Sequence, residues 1–428
     1  METPAAALDG WLDRIERLHH RPIELTLERV REVAARLDVA PTCPTIVVGG
    51  TNGKGSTCAM LDSILRSAGY RVGLYSSPHL LCFNERARVD GTVASDTQLI
   101  EQFEAVEAAR HDTSLTYFEF TTLAVLRMFR QQQLDAAVLE IGLGGRLDAV
   151  NLVDADCAIV TSIDIDHIEF LGPTREHIGY EKAHIYRRGC PAICADPQPP
   201  QTLIDVAKEN DADLWQIGRD FIARGDRQQW SYSGRRQRRA SLPYPALRGA
   251  NQLLNAAGAL AALEALVDRL PVSQQAVRQG LLAVDLPARF QVLPGKPAVV
   301  LDVAHNPHAA SVLAANLDQM GFYPTTHAVF GMLRDKDARG VVARLGDRVD
   351  HWHVGPTPGA RGADTAWMAE AVDAHMVRGE GRSLHRHDSI VAAYRTALES
   401  AHADDRIVVF GSFTTVAEVM RERATQRR

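Results

Sequence analysis

The stretch TIVVGGTNGKGST, residues 45–57, decides how the rest of the chain is read. Four β-branched residues run into Gly49 and Gly50, Lys54 stands between Gly53 and Gly55, and two hydroxyls open the helical pattern CAMLDSILRSAG. In such a glycine-rich turn the backbone N–H groups curl around phosphate oxygens, and the following helix turns its positive end to the same anion. The stretch therefore predicts a strand, a phosphate loop and a helix, with Lys54 as the point charge and Ser56 or Thr57 beside Mg2+. Its order is Lys-Gly-Ser where the common nucleotide loop has Gly-Lys-Ser, so this is a different version of the motif.

The 428 residues exceed what one core usually serves, since single cores stop growing at roughly 250–300 residues. Two domains are expected, and 46% hydrophobic with 23% charged residues fits a compact soluble protein. A net charge of −6 gives no general attraction to nucleic acid or to an anionic membrane, so any polyanion site must be local. Cys43, Cys58, Cys82, Cys157, Cys190 and Cys194 are scattered, which favours buried reduced thiols over a zinc site. The amino terminus has no basic start followed by a long apolar run, and the expected location is the cytoplasm.

Working outward, short apolar runs bounded by glycine or proline recur: RVGLYSS, AAVLEIGL, AIVTSID and PAICAD, then AVVLDVAH, HAVFGML, DHWHVGP and IVVFGS. Continuous apolar character marks strands covered on both faces, and helical spacing between them (Leu27, Val30, Ala34, Leu37; Leu123, Leu126, Phe129) predicts an α/β fold with doubly wound, parallel sheets. From Trp215 to Pro245 the pattern weakens, which predicts an antiparallel insert before a long helix over 250–269. The basic run GRRQRR, 234–239, reads as a solvated hairpin. Prolines and a glycine in LPARFQVLPGKP mark the domain boundary, giving 1–287 and 288–428.

In an open parallel sheet the carboxyl ends of the strands share one crevice. Ser76 and Ser77, Glu140, and Asp166 with His167 all follow strand patterns, so they are expected to face the phosphates held by the loop. Taken singly, Ser77 reads as a turn residue, Glu140 as a helix cap and His167 as a surface histidine. Together, a hydroxyl, a carboxylate and an imidazole suit Mg2+ or Mn2+ better than structural zinc.

The ordered segments GTNGKGS, YSSPHL, LTYFEFTTLA, LEIGLGGRLDAVN, SIDIDHIEFLG, EKAHIYR, LPARFQ and LDVAHNPHAA resemble the bacterial bifunctional folylpolyglutamate synthase/dihydrofolate synthase family of the Mur ligase superfamily. The resemblance spans nearly the whole chain. It implies an amino-terminal phosphate-loop ATPase domain, a smaller carboxyl-terminal Rossmann-like domain, and an ATP-dependent ligase. Such an enzyme joins L-glutamate to dihydropteroate, and further γ-linked glutamates to tetrahydrofolates, through an acyl phosphate.

By the same resemblance, Thr51, Asn52, Gly53, Lys54, Gly55 and Ser56 hold ATP phosphates, with Asn255, Arg289 and Asp302 on the nucleotide. Ser77, Glu140, His167 and Ser56 ligate Mg2+, joined by Lys182 as a carbamate. Lys54, Lys182 and His305 are the implied catalytic residues, and His305 and Ser412 the glutamate site. Ile23, Glu24, Leu25, Thr116, Tyr117, Phe118, Glu119, Leu147, Asp148 and Ala149 fit the dihydropteroate segments. An exposed helical lysine is the plain reading of Lys182, and helix caps that of Asp302 and Asn306.

The sequence departs from the family pattern at Glu24 for aspartate, at His184 and Ala288 for glycines, and in lacking a histidine before Asn251. The rival readings are a folylpolyglutamate synthase alone, a Mur or cyanophycin-type ligase with another acceptor, and a regulatory ATPase. Only about 45 residues precede the first strand, too few for an additional α/β domain. A monomer acting on small molecules, with neither nucleic acid nor membrane as partner, completes the expectation.

Overall fold

The structure is a computed structural model and describes residues 3–226, 228–377, 379 and 381–426. Two compact units divide the chain: Met1–Ala246 with Leu253–Val284, and Leu247–Gln252 with Asp285–Arg428. The first is built on eight strands: β1 (Thr45–Gly49), β2 (Val72–Tyr75), β3 (Ala87–Val89), β4 (Thr92–Val93), β5 (Ala136–Glu140), β6 (Cys157–Val160), β7 (Pro191–Cys194) and β8 (Asp213–Gln216). Their order is β4-β3-β2-β5-β1-β6-β7-β8, parallel from β2 to β8 and antiparallel at the β3–β4 edge.

Both faces of this sheet are covered, which is why β1, β5 and β6 are buried at every position. Val47, Leu139 and Val160 pack with the helix Tyr117–Gln131 in one core. On the other face the helix Lys54–Ser67 is buried from Ser56 to Leu65, because the helix Gln274–Ala283 lies against its outer side. A Cβ on Gly280 would stand 2.4 Å from Ile64 Cα, so only glycine allows the two helices to approach this closely.

The expected antiparallel insert is present as β9 (Ile222–Gly225), β10 (Trp230–Ser233) and β11 (Arg238–Leu242). Trp215, expected within it, instead belongs to β8 at the edge of the parallel sheet. The basic run is the β10–β11 turn and its arginines are structurally engaged: Arg235 lies 4.4 Å over the Trp215 ring and pairs with Asp213 and Asp220. Of the six cysteines, Cys58, Cys157 and Cys194 are buried as expected, whereas Cys82 is exposed.

The second unit carries six strands: β12 (Gln291–Leu293), β13 (Ala298–Leu301), β14 (Thr326–Phe330), β15 (His351–Val354), β16 (Ser383–Arg386) and β17 (Arg406–Phe410). They lie in the order β12-β13-β17-β14-β15-β16, with β12 antiparallel and the rest parallel. Ala328, Phe330, Trp352 and Val354 face one core. Successive side chains point to opposite faces, so His327, His351 and His353 share the other. Burial, then the neighbouring imidazoles His351 for the first and His385 for the second, push His327 down to about 4 and His353 to about 3.

Among the described residues no helix is long and apolar enough to cross a membrane. Two departures from the family pattern find a structural account. His184 ends the helix Arg175–Ala183 at φ −71°, where any residue fits. Ala288 sits fully buried at φ 62°, in the left-handed region that favours glycine.

Two outcomes are expected. Ala288→Gly relieves the left-handed strain and raises unfolding stability by about 1 kcal/mol, read from urea denaturation. The two buried imidazoles have folded values below the ordinary 6.5, so the unfolded chain binds the extra protons. Their contribution is intact above pH 6.5 and is lost as pH falls toward 4. Amide exchange in β14 and β15, corrected for its intrinsic pH dependence and measured in EDTA, accelerates over that window.

Candidate functional site

The strands β2, β5, β1 and β6 are consecutive neighbours, with Tyr75 opposite Leu139, Val48 opposite Glu140 and Gly49 opposite Val160. That register brings the segments after Tyr75, Gly49 and Val160 and the side chain of Glu140 to one carboxyl edge. The phosphate loop leaves β1 there. Gly50 has φ 140° and Gly53 φ 90°, and a Cβ would stand 1.9 Å from Thr161 Oγ1 at the first and 2.4 Å from Asn255 Oδ1 at the second. Both positions therefore require glycine for space and for conformation. Asn255 is thus placed against the phosphate loop itself.

The loop is clamped by the segment after β6. Thr51 N donates to Ser162 O at 2.6 Å, Thr51 Oγ1 to Asp164 O and Asp164 N to Thr51 Oγ1, each at 3.0 Å. Thr161 Oγ1 donates to Asn52 O at 2.7 Å and Ser162 Oγ to the same oxygen at 3.0 Å. The sequence reading missed Thr161, Ser162 and Asp164 as positioning residues. Their signal was a polar run directly after an apolar strand.

Two lysines converge on one carbonyl. Lys54 Nζ donates to Gly50 O at 3.1 Å and to Thr51 O at 3.2 Å, and Lys182 Nζ donates to Gly50 O at 2.9 Å. Lys182 is buried, not the exposed helical lysine of the plain reading. Burial, and after it the charge of Lys54, lower its amine from the usual value to about 7. That shift corresponds to roughly 5 kcal/mol against the ammonium relative to water.

Glu140 is buried at the end of β5, and its Oε2 accepts from Ser77 N at 3.1 Å. His167 caps a short helix at φ 51°, its backbone N–H donating to Asp166 Oδ1 at 2.8 Å. Thr57 Oγ1 is buried in the first turn of the helix after the loop and has no hydrogen-bond partner. A buried carboxylate, hydroxyls and an imidazole at one sheet edge fit a divalent ion with a preference for oxygen.

Of the three segments expected to frame a dihydropteroate site, those around Glu24 and Glu119 are tied together within the first unit. Arg29, which the sequence reading passed over, pairs with Glu24 and, at 3.0 Å, with Glu119. Glu24 also meets His19 at 3.0 Å. Thr116 and Glu119 form a capping box, Thr116 Oγ1 accepting from Glu119 N and Glu119 Oε2 from Thr116 N. The Phe118 ring closes on Gly142, where a Cβ would meet Cζ at 2.5 Å, and lies 6.3 Å from the Tyr75 ring. Asp148 is buried and accepts from Leu143 N at 2.7 Å and Val150 N at 2.9 Å; burial pushes its carboxyl up to about 6. Tyr117, Leu147, Ile23 and Leu25 are half-buried, while Ala149 belongs to the core.

In the second unit, Asp302 to Asn306 follow β13 and Ser412 follows the adjacent β17. Asp302 spends its carboxylate on Phe290 N at 2.9 Å and Ala304 N at 2.7 Å, and burial raises its pKa. It is a loop anchor and not the helix cap of the plain reading, whereas Asn306 does cap the helix Pro307–Gln319. His305 Nδ1 lies 2.9 Å from Val303 O, and the Arg289 guanidinium stands 5.0 Å over the Phe413 ring. Ser412 Oγ accepts from Thr415 N at 3.0 Å.

Residues 48–263 match the family model of the Mur ligase middle domain, and residues 288–413 that of the Mur ligase glutamate ligase domain. The chain is 47% identical to the dihydrofolate synthase/folylpolyglutamate synthase of Escherichia coli strain K12, over 98% of this chain and 96% of that relative. Identity to the Haemophilus influenzae enzyme of the same name is 40%, covering 96% of each. The solved structure of E. coli FolC with DHPP and ADP superposes with a TM-score of 0.94 at 44% identity over the whole of both chains. A bifunctional folylpolyglutamate synthase/dihydrofolate synthase with Mn, AMPPNP and L-glutamate gives 0.90 at 45% identity, over 97% of this chain and 98% of that one.

A phosphate-loop sheet followed by a glutamate ligase unit defines the class: the protein is an ATP-dependent ligase of the Mur type. More narrowly, the chain belongs to the dihydrofolate synthase/folylpolyglutamate synthase family.

Gly50→Ala and Gly53→Ala each force the loop off Thr161 or Asn255, so each is expected to weaken ATP binding by about tenfold or more, on the order of 1–3 kcal/mol of backbone strain. Isothermal titration against the folded variants measures it, and wild-type affinity in both would refute the close approach as a requirement for binding.

Proposed function

We propose that the phosphate loop, the strand-end side chains and Lys182 form the working centre in which this ligase activates a folate acid with ATP. The enzyme adds L-glutamate to dihydropteroate, giving dihydrofolate, and adds further γ-linked glutamates to tetrahydrofolates. The convergence of Lys54 and Lys182 on Gly50 O, beside Ser77 and Glu140, carries this assignment.

A carboxylate is a poor electrophile. Its oxygen attacks the γ-phosphorus, the bond to ADP breaks, and an acyl phosphate results. The glutamate amine then attacks the acyl carbon through a tetrahedral intermediate, phosphate leaves and the amine loses a proton. Lys54 leaves its two carbonyls for the phosphoryl oxygens and offsets the charge that develops on them. Thr51, Asn52, Gly53, Gly55 and Ser56 present the loop, and Asn255 braces it at Gly53. Ser77, Glu140, His167 and Ser56 would hold Mg2+ or Mn2+, which when bound draws charge from the transferring group.

Lys182 cannot ligate a cation as an ammonium. With its amine lowered to about 7, a large fraction is the free base at neutral pH. The free amine adds CO2, forming an N–C bond and releasing one proton, and the carbamate is an oxygen donor facing the same edge. In the division of labour we assign, residues 1–287 take the nucleotide and pterin, and residues 288–428 take glutamate through His305 and Ser412, with Arg289 and Asp302 serving the nucleotide. Ile23, Glu24, Leu25, the segment Thr116–Glu119 and the segment Leu147–Ala149 frame the dihydropteroate site.

ADP release with ATP, Mg2+ and L-glutamate tests the reading, with dihydropteroate and tetrahydrofolate supplied in turn. Release with both is expected; release with tetrahydrofolate alone would reduce the enzyme to a folylpolyglutamate synthase. Lys54→Ala is expected to lower kcat at least about 100-fold with folding intact. Lys182→Ala loses activity that added bicarbonate does not restore, and full retention would remove the carbamate from the mechanism.

A further inference from the structure

Five imidazoles occupy one face of the second unit's sheet, along β14, β15 and β16 and beyond β17 in the strand order. His327 on β14 pairs in register with His351 on β15, His353 pairs with His385 on β16, and His387 extends the ladder by donating its N–H to Val354 O at 2.9 Å. His353 stacks on His385 with ring centroids 4.8 Å apart. His327 and His353 are buried beneath the helix Ile390–Ser400, while His385 is exposed and His387 half-buried at the sheet edge.

Neighbouring rings are joined by hydrogen bonds between their nitrogens, at separations that also suit a shared ion. His353 Nδ1 and His387 Nε2 stand 3.2 Å apart, and their ring centroids 5.4 Å. Two imidazole nitrogens on one tetrahedral Zn2+, each at 2.0–2.1 Å, are separated by about 3.3 Å. The same ring of His353 places Nε2 3.4 Å from His327 Nδ1. His327 Nε2 is buried without a hydrogen-bond partner and faces the buried carboxylate of Asp405 at 4.0 Å.

We propose that this face binds one borderline divalent transition-metal ion of the Zn2+ class, with His353 Nδ1 and His387 Nε2 as fixed donors and the exposed His385 turning in as the third. The tautomers then follow in one direction. A metal on His353 Nδ1 leaves its proton on Nε2, which donates to His327 Nδ1, and His327 in turn directs its Nε2–H at Asp405. Histidines that ligate metals commonly donate their other N–H to such a partner, which fixes the ring and raises its basicity. An all-imidazole set selects Zn2+, Ni2+ or Cu2+ over Mg2+, so this position is chemically separate from the oxygen-rich edge of the first unit.

Whereas the sheet face needs His385 to turn in, the three donor atoms of His19, His20 and Glu24 are the ones among the described residues that already lie within 4.8 Å of one another. There Arg29 already occupies the carboxylate, and its charge opposes a cation. That group serves as the control.

The test titrates the EDTA-stripped full-length protein with Zn2+ by calorimetry, and with Co2+ by visible absorption. One equivalent is expected, with the intense d–d bands of a low-coordinate, nitrogen-bound Co2+. His385→Ala/His387→Ala, both at the sheet edge, is expected to weaken Zn2+ at least tenfold and abolish those bands while Mg2+-dependent ligase activity is unchanged. His353→Gln weakens binding in the same way, and His20→Ala leaves it intact. No Zn2+ binding by the wild type, unchanged affinity in the edge double variant, or loss in His20→Ala instead would each overturn the proposal.

Discussion

The clamp between Thr51–Asn52 and the segment Thr161–Asp164 is the contact on which the site depends. At least six hydrogen bonds hold this short loop. At about 1 kcal/mol net each they are comparable with the cost of fixing three or four backbone residues at 1–2 kcal/mol apiece. The loop is therefore ordered by β6 before any phosphate arrives, and binding need not supply that ordering. The requirement for glycine at positions 50 and 53 has the same origin. The clamp draws the chain so close to Thr161 and Asn255 that no Cβ fits.

Ordering the loop in this way concentrates positive charge. Lys54 and Lys182 share the Gly50 carbonyl, and the charge of Lys182 is suppressed there. Desolvation is the larger cause, because Lys182 lies in the helix Arg175–Ala183 beneath the glycines of the 142–145 turn. A Cβ at Gly145 would stand 2.9 Å from the Lys182 Cα. Burial thus brings the Lys182 amine near neutrality, a state an exposed lysine would not reach.

Much of this was legible in the sequence because the phosphate loop and the strand ends are local features. Nine apolar runs corresponded to nine strands, from Thr45–Gly49 to Arg406–Phe410. Missed were β3, β4, β8, β12 and β16, which lie toward the margins of their sheets and carry polar residues with little apolar signal. Side-chain partners across long separations were equally hidden: Arg29 reaches Glu119 across 90 residues, and nothing in the spacing of either announces the other. The five histidines acquire meaning only from register, since β14, β15 and β16 are far apart in the chain and meet only through parallel pairing.

The acidic residues of the segments proposed to frame dihydropteroate show how far a motif match reaches. Glu24 and Glu119 are tied through Arg29, and Asp148 holds the 143–150 turn by its own backbone amides. Their charges are thus committed to shape, and the aromatic faces of Tyr117 and Phe118 remain half-buried beside them. In the site we propose, a flat heterocycle would meet carboxylates already fixed by these partners and not mobile charges. The longer Glu24 is tolerated on the same argument: a bridging arginine can meet a carboxylate displaced by one methylene, provided that Arg29 still reaches Glu119 at 3.0 Å.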